Sequence, residues 1–426
     1  MASKLQKLKG FRDFYPESCA VRNYLFETWR RVVAKYRFSE YEGPILEPTD
    51  LYRKKSGDEI TEQLYHFLDK GEREVAMRPE LTPTLARMAA AKQREYRKPM
   101  KWFSIGPFFR YEKQQKGRLR EFYQFNCDIL GEDSPALDAE LIAVSIDLMR
   151  ELGFGEGDYV IRVSDRSAWM RWIEEQGIGD AATFLQSIDK MERTPPEKTD
   201  EGLQALGTSL AAVQEFMSRG EEVSERMPLI RENLAARGLD GFLQWDLGIV
   251  RGLAYYTSTV FEVFDQGKGM RAVAGGGRYD ELVGLIGGVE MPAAGFAMGD
   301  VVIGDLIQET PAAKAKLDAW LEEHAAIEVF VIVANEEQRS AALAGVQVLR
   351  DAGNRVEFAH SAAKVGKQFQ AAEQANAKLA VIYGDEFPTL KVKNMADRSE
   401  VEVSSDSLVG EISKILGASG SVVSGD

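Results

Sequence analysis

The stretch "KWFSIGPFFRYEKQQKGRLREFYQFNCDILG" (Lys101 to Gly131) constrains the fold more than any other part of the chain. Two β-rich runs flank a basic loop that contains Gly117, the pattern of an antiparallel hairpin with a long connection. Side chains alternate across a strand, so Phe122, Gln124, Asn126 and Asp128 share one face of the second run. Tyr123, Phe125, Cys127 and Ile129 share the other, an apolar side suited to a core. On the first run Arg110 and Glu112 share a face. An arginine, a glutamate, amides and an aspartate on one sheet surface suit a polar, charged ligand. Pattern alone equally fits a polar face turned to solvent.

At 426 residues the chain exceeds one ordinary core, and two or three domains are expected. With 44% hydrophobic and 28% charged residues the composition is that of a globular protein. No run approaches the roughly 18 apolar residues that suggest a membrane helix. The start, "MASKLQKLKGFRDFYPE", shows no apolar core or cleavage site of an export signal. Cys19 and Cys127 stand far apart outside any motif, which speaks against a disulfide framework or zinc cluster and fits a reducing cytoplasm. His66, His324 and His360 also lie outside every motif, so histidine catalysis and a histidine-held metal are not expected. The formal charge of −14 argues against a protein that coats nucleic acid indiscriminately. A local basic patch exists nonetheless: Arg110, Lys113, Lys116, Arg118 and Arg120 fall on one loop.

Three further stretches carry chemistry. In "MRPELTPTLARMAAAKQREYRKP", Thr82 and Pro83 are expected at the N-cap and first turn of a helix that Pro99 ends, with Glu80 just ahead. "GIVRGLAYYTSTVFEVF" joins two apolar runs through Arg251 and the pair Tyr255-Tyr256, residues that a strand filling a core does not need. "RAVAGGGRYDELVGLIGG" sets three glycines after a short strand, where backbone can approach a ligand or a neighbouring strand closely. It fits neither common phosphate-loop pattern.

The organisation predicts a first domain over residues 1–320. Within it, residues about 167–240 read as a mostly polar helical insertion, broken at Thr194-Pro195-Pro196. "TPAAKAKLDAWLEEHAA" is a helical connector. Residues 327–417 then alternate strand and helix patterns, which implies a small mixed or parallel sheet covered by helices. The end, "GASGSVVSGD", reads as a flexible tail at about 418–426.

Taken in order, these pieces resemble the histidyl-tRNA synthetase family over nearly the whole chain. "LKGFRDFYP" resembles its opening, and "YRFSEYEGPILEPTDLY" resembles class II motif 1 with Pro44. "FFRYEKQQKGRLREFYQFNCDILG" resembles motif 2, while "VRGLAYYTSTVFE" and "AGGGRYDELV" resemble the two histidine-specific signatures. "KQFQAAEQANAKLAVIYG" looks like part of the anticodon-binding domain. The resemblance implies an α+β protein: a class II synthetase antiparallel-sheet catalytic domain with a helical insertion, plus a C-terminal α/β anticodon-binding domain. It implies a cytoplasmic homodimer that joins L-histidine to tRNA(His) using ATP and Mg2+. By resemblance, Arg110 and Arg251 are the catalytic cations at the α-phosphate, Glu112 meets the adenine amino group and Phe122 stacks on the base. Glu80, Leu81, Thr82 and Gln124 fall on the segments that hold the α-amino group. Asp128 and Tyr256 bind the imidazole, Tyr255 lines the pocket, and Arg251 also meets the carboxylate. Lys113, Gln115 and Arg118 lie on the loop that reaches the tRNA acceptor end.

Two positions depart from the family pattern. Val302 stands where motif 3 usually has an arginine at the γ-phosphate, and Ala254 replaces the aspartate of the first signature. Asp128 is also shorter than the glutamate many members carry. Two other readings are weighed against this one. A regulatory paralogue would lack the C-terminal domain and degrade the signatures. A class II synthetase for another amino acid would lack "YY" and "QFNCDILG".

Overall fold

The computed structural model describes residues 6–54, 63–113, 117–250, 255–267, 269 and 272–419. The chain divides into two compact units, Met1–Leu317 and Asp318–Asp426. In the first, Pro16 sits in the opening turn of α1 (Pro16–Lys35), a placement that uses proline's missing N–H where no bond is lost. The short β1 (Ser39–Glu40) precedes β2 (Leu46–Pro48), β3 (Tyr65–Leu68) and β4 (Glu74–Met77), and these last three form their own antiparallel sheet in the order β2-β4-β3. After α2 (Thr82–Lys92) comes the expected hairpin, β5 (Met100–Phe109) and β6 (Glu121–Leu130), with Ser104 opposite Asn126 and Phe108 opposite Phe122. Ser134 then caps α3 (Pro135–Glu151), its hydroxyl accepting from the Ala136 N–H at 3.2 Å.

β7 (Tyr159–Asp165) leads into five helices: α4 (Arg166–Glu175), α5 (Ala181–Lys190), α6 (Pro196–Ala205), α7 (Leu210–Ser218) and α8 (Met227–Ala235). The chain returns to the sheet through β8 (Leu243–Trp245), β9 (Thr259–Asp265) and β10 (Ala274–Arg278). It continues through α9 (Leu282–Gly287), β11 (Ala293–Gly299), α10 (Asp300–Glu309) and α11 (Pro311–Ala325). The large sheet runs β1-β5-β6-β11-β10-β9-β7-β8; its six central strands are antiparallel to their neighbours, and only the edge strands β1 and β8 pair in parallel. One face of β6 meets α1, where the Trp29 and Phe125 rings stand 5.7 Å apart and Phe26 meets Tyr123 at 5.4 Å. That is the apolar side anticipated from alternation, and it leaves the Gln124–Asn126–Asp128 row on the opposite face.

The second unit holds β12 (Val329–Val333), α12 (Arg339–Asp351), β13 (Val356–Phe358), α13 (Val365–Gln374), β14 (Leu379–Tyr383), β15 (Thr389–Asn394), β16 (Glu400–Ser404) and α14 (Leu408–Ser419). Its sheet order is β13-β12-β14-β15-β16, parallel over the first three strands and antiparallel over the last two pairings. The buried amide of Gln368 bonds both the N–H and the C=O of Val333, at 2.9 and 2.8 Å, and so fixes α13 to the end of β12.

Several expectations are corrected. Thr82 is not the N-cap: Leu81 holds that position in a helical conformation, and α2 stops at Lys92, short of Pro99. The insertion is helical but not merely polar, since Trp169, Trp172, Phe184 and Phe216 pack ring against ring in a buried core of its own. Arg110 and Glu112 lie just past the end of β5, although the Arg110 N–H still donates to the Arg120 carbonyl at 2.9 Å. Strands β15 and β16, with their T-L-K-V-K and E-V-E-V alternation, extend the second sheet beyond what was read from sequence. α14 runs to Ser419, into the stretch expected to be tail.

A buried ionic cluster ties the insertion to the sheet. Asp138 on α3 accepts from Arg278 at 2.6 Å, from Arg226 at 2.9 and 3.0 Å, and from Thr259 at 3.0 Å, with the Asp138 and Arg278 side chains 2% and 1% exposed. Removing one partner of such a cluster strands a buried charge, at a cost of about 3–5 kcal/mol. Asp138→Ala is therefore expected to lower unfolding stability by about that amount in a urea titration, with proteolysis of the insertion accelerated because Arg226 loses its anchor.

Candidate functional site

The local fold explains why Arg78, Pro79 and Glu80 act as a unit. Arg78 is fully buried, donating to the Pro107 carbonyl at 2.9 Å, to the Gly43 carbonyl at 2.9 Å and to Glu42 at 2.6 Å. A side chain at Gly106 would collide with this guanidinium, which is why β5 carries a glycine there. The next carbonyl, that of Pro79, accepts from Arg110 Nε at 2.9 Å and so aims that guanidinium. Glu80 then receives the Tyr255 hydroxyl at 3.2 Å. Three consecutive residues thus clamp a strand, orient a cation and present a carboxylate.

Glu80, Thr82, Arg110, Gln124, Asn126, Asp128, Tyr255, Tyr256 and Tyr279 surround one small pocket on the open face of the sheet. The row from β6 forms its floor, and Gly275, Gly295 and Ala297 on the adjoining strands keep that floor low. Because Leu81 takes the N-cap position, the Thr82 side chain is not spent on capping and lines the pocket instead. Leu81 itself is 1% exposed and packs in the core rather than lining the cavity. The Tyr255 and Tyr256 rings lie 4.8 Å apart, and Tyr255 meets Tyr279 edge-on at 5.9 Å.

Arg110, Gln124, Gly275 and Ala297 also line a second, larger cavity of about 680 Å³. Phe122 forms part of its wall, stacked on Phe108 at 6.0 Å with the Arg110 guanidinium 5.4 Å from its ring centre. Glu112 is 8% exposed and pairs with Arg118 at 2.6 Å and Arg110 at 4.0 Å. The insertion contributes Asp189, Glu192 and Arg193 to this cavity, and β9 contributes Glu262. Val302 lines it with an aliphatic side chain, at the position where the family pattern usually has an arginine. Lys113 is exposed on the loop beyond β5, and Arg118 is half-exposed. Arg251, Ala254 and Gln115 lie outside the described residues.

Sequence reading missed Tyr279 as a site residue. Its hydroxyl donates to Asp128 Oδ1 at 2.6 Å, and both groups are buried. The signal was present in "GGGRYD", but only pairing of β10 with β11 brings that tyrosine over β6. It also missed Arg193 and Glu262, which reach the larger cavity from elements not recognised as part of the site.

Burial pushes the Asp128 carboxyl up to about 7 from an ordinary 3.8, with the Tyr279 hydrogen bond opposing the rise. The folded protein keeps this proton over a range in which the unfolded chain has released it. Its contribution to stability is therefore full below the ordinary carboxylate range and is lost as pH rises toward about 7. Asp128→Asn, which cannot ionise, should melt above the parent at pH 8, with the gap narrowing toward pH 5. A melting difference that does not change with pH would show that Asp128 titrates normally.

The comparisons agree with the geometry. The family model described as Histidyl-tRNA synthetase matches residues 10–301, and one described as Anticodon binding domain matches residues 328–415. The histidine–tRNA ligase of Opitutus terrae is 41% identical over 424 residues, covering 93% of this chain and 95% of that protein. That of Haloarcula marismortui is 37% identical, covering 95% and 97%. Among solved structures, histidyl-tRNA synthetase from Nostoc shares the fold at a TM-score of 0.75 and 23% identity, over 97% of this chain and all of that one. The chain belongs to the histidyl-tRNA synthetase family.

Proposed function

We propose that the two cavities are the histidine and ATP sites of a histidine–tRNA ligase, an enzyme that forms histidyl-adenylate and then transfers histidine to the 3′ end of tRNA(His). The observation that carries this reading is their shared wall: Arg110 borders both the pocket ringed by Glu80, Asp128 and Tyr256 and the cavity flanked by Phe122. Glu80, Thr82 and Gln124 hold the α-amino group at one end of the pocket, and Asp128 with Tyr256 takes the imidazole at the other. Phe122 stacks on adenine and Glu112 receives its amino group. A carboxylate oxygen of histidine attacks the α-phosphorus, the new C–O–P bond forms, and diphosphate leaves as the bond to the β-phosphate breaks.

Two anions meet in that step, and charge builds between them. Arg110, pre-aimed by the Pro79 carbonyl, supplies a fixed cation that need not reorganise as the charge develops, and Arg251 adds a second positive charge. Magnesium suits the donor set of the larger cavity, because Mg2+ binds through one or two carboxylates plus substrate phosphates, and Glu262 lines that wall. When bound there it would neutralise charge on the triphosphate. In the second step the ribose hydroxyl of the tRNA end takes the histidyl group and AMP leaves.

Residues 1–320 serve as the catalytic domain with the insertion at about 167–240, and residues 327–417 bind the anticodon. Lys113, Gln115 and Arg118 contact the acceptor end, where a local basic patch suffices despite the overall charge of −14. A homodimer is supported by the exposed apolar side chains Ile45, Leu46, Phe67 and Leu68 on and beside the small sheet, with Leu68 68% exposed. The free Cys19 and Cys127 support a cytoplasmic location. Among the described residues no helix is long and apolar enough to cross a membrane.

ATP–diphosphate exchange should be supported by histidine above all other amino acids; exchange with none, or best with another, would sink the reading. Arg251→Ala is expected to reduce that exchange by about 10²–10³-fold without unfolding the protein. Near-normal exchange would remove Arg251 from the mechanism. Gln115→Ala should leave exchange intact while slowing tRNA charging; if both fall together, the loop does more than read the acceptor end.

A further inference from the structure

Asn126 is 5% exposed, lines the smaller pocket, and has a buried side-chain Nδ2 without a hydrogen-bond partner among the described residues. Its register partner on β5, Ser104, is 1% exposed and its hydroxyl is likewise unpartnered. An unsatisfied buried donor costs about 1–3 kcal/mol, and folded proteins leave few of them. Of the two, Asn126 lines the ligand pocket, which points to a group that the substrate completes. The terminal amide can turn over and exchange its nitrogen and oxygen, so either end can be offered to the pocket.

The neighbouring residues narrow which substrate atom Asn126 meets. Successive same-face residues on a strand are about 6.6 Å apart, which places Asn126 midway between Gln124 at the amine end and Asp128 at the ring end. On β11 the residues paired with Asn126 and Asp128 are Ala297 and Gly295, and neither offers a polar side chain. A neutral imidazole carries one N–H and one bare nitrogen. Asp128, as a carboxylate, can only accept, and its Oδ1 is already engaged by Tyr279. It satisfies the N–H and leaves the bare nitrogen in need of a donor.

Resting on the reading of this pocket as the histidine site, we propose that Asn126 is a further specificity-determining residue: its side-chain amide donates to the imidazole nitrogen nearer the α-carbon, while Asp128 accepts from the distal N–H. Two contacts to the ring then come from one strand face. Tyr256 meets the same end of the ring as Asp128, and Tyr255 closes the slot from the side.

The test uses the full chain in ATP–diphosphate exchange. Asn126→Ala should raise the KM for histidine roughly tenfold, the equivalent of one lost hydrogen bond, and leave the KM for ATP within about twofold. Asn126→Asp, similar in size but unable to donate when ionised, should do no better than alanine. The parent should reject π-methylhistidine, which is methylated on the contacted nitrogen, and Asn126→Ala should narrow that preference. An unchanged histidine KM with a lowered melting temperature would show that the amide serves only the fold and would overturn the proposal. A joint rise of both KM values would overturn it as well. Failure of the underlying site reading is seen separately, as a parent enzyme without histidine-dependent exchange.

Discussion

Asp128 can lie buried in the middle of a sheet because the strand beside it carries no side chain at that level. Gly295 is its register partner on β11, and a Cβ built there would collide with the Asp128 carboxyl. Gly276 and Gly277 on β10 likewise have no room for a side chain, since Cβ atoms on them would run into β11, β9 and Tyr256. The glycines, which fit no common phosphate-loop pattern in the sequence, are the thin part of a sheet. They let β10 and β11 close on β6, and the polar row of β6 becomes the floor of a pocket rather than a set of buried, crowded groups.

The same strands connect stability to the site. Arg278 ends β10 inside the cluster with Asp138, and the residue after it, Tyr279, donates to Asp128. An ionic cluster whose own net worth is small, because desolvation offsets attraction, still fixes where the following tyrosine points. Arg78 plays the corresponding part on the other side, holding the β5 edge while the next carbonyl aims Arg110. Next to Arg278 the following residue touches the pocket itself, and next to Arg78 the following carbonyl aims a cation that does. Positioning in this fold is carried by the backbone, over a single peptide unit.

What was legible in the sequence was what depends on local periodicity. The hairpin strands and the division of β6 into an apolar and a polar face follow from period-two alternation, and the structure has them. Thr82 read as a cap because threonine before proline usually is one; tertiary packing moved the helix start by one residue and gave Thr82 to the pocket. The insertion read as polar because its four core aromatics are dispersed from Trp169 to Phe216, and only folding gathers them. Tyr279, Glu262 and Arg193 could not be assigned from spacing, since each reaches its cavity through strand order or through an inserted domain. The family resemblance supplied roles for residues whose proximity alternation alone could not establish.

The titration of Asp128 near 7 fits the ligand this pocket is proposed to hold. An imidazole titrates near 6.5, so the carboxyl and the ring compete for protons in the same range. When a neutral histidine enters, the ionised form of Asp128 gains a donor that offsets its burial, and the free protein's reluctance to ionise is reversed only by a ring that brings an N–H. An isosteric apolar ring would leave Asp128 desolvated and without the ring's N–H, and a site built on such a partnership rejects analogues lacking it by roughly 10⁴ or more. The burial that raises Asp128 therefore works against stability in the empty protein and for selectivity in the filled one. The short aspartate suits this balance, because it keeps the carboxyl down in the sheet beside Gly295 and Tyr279 rather than out in the solvated mouth of the pocket.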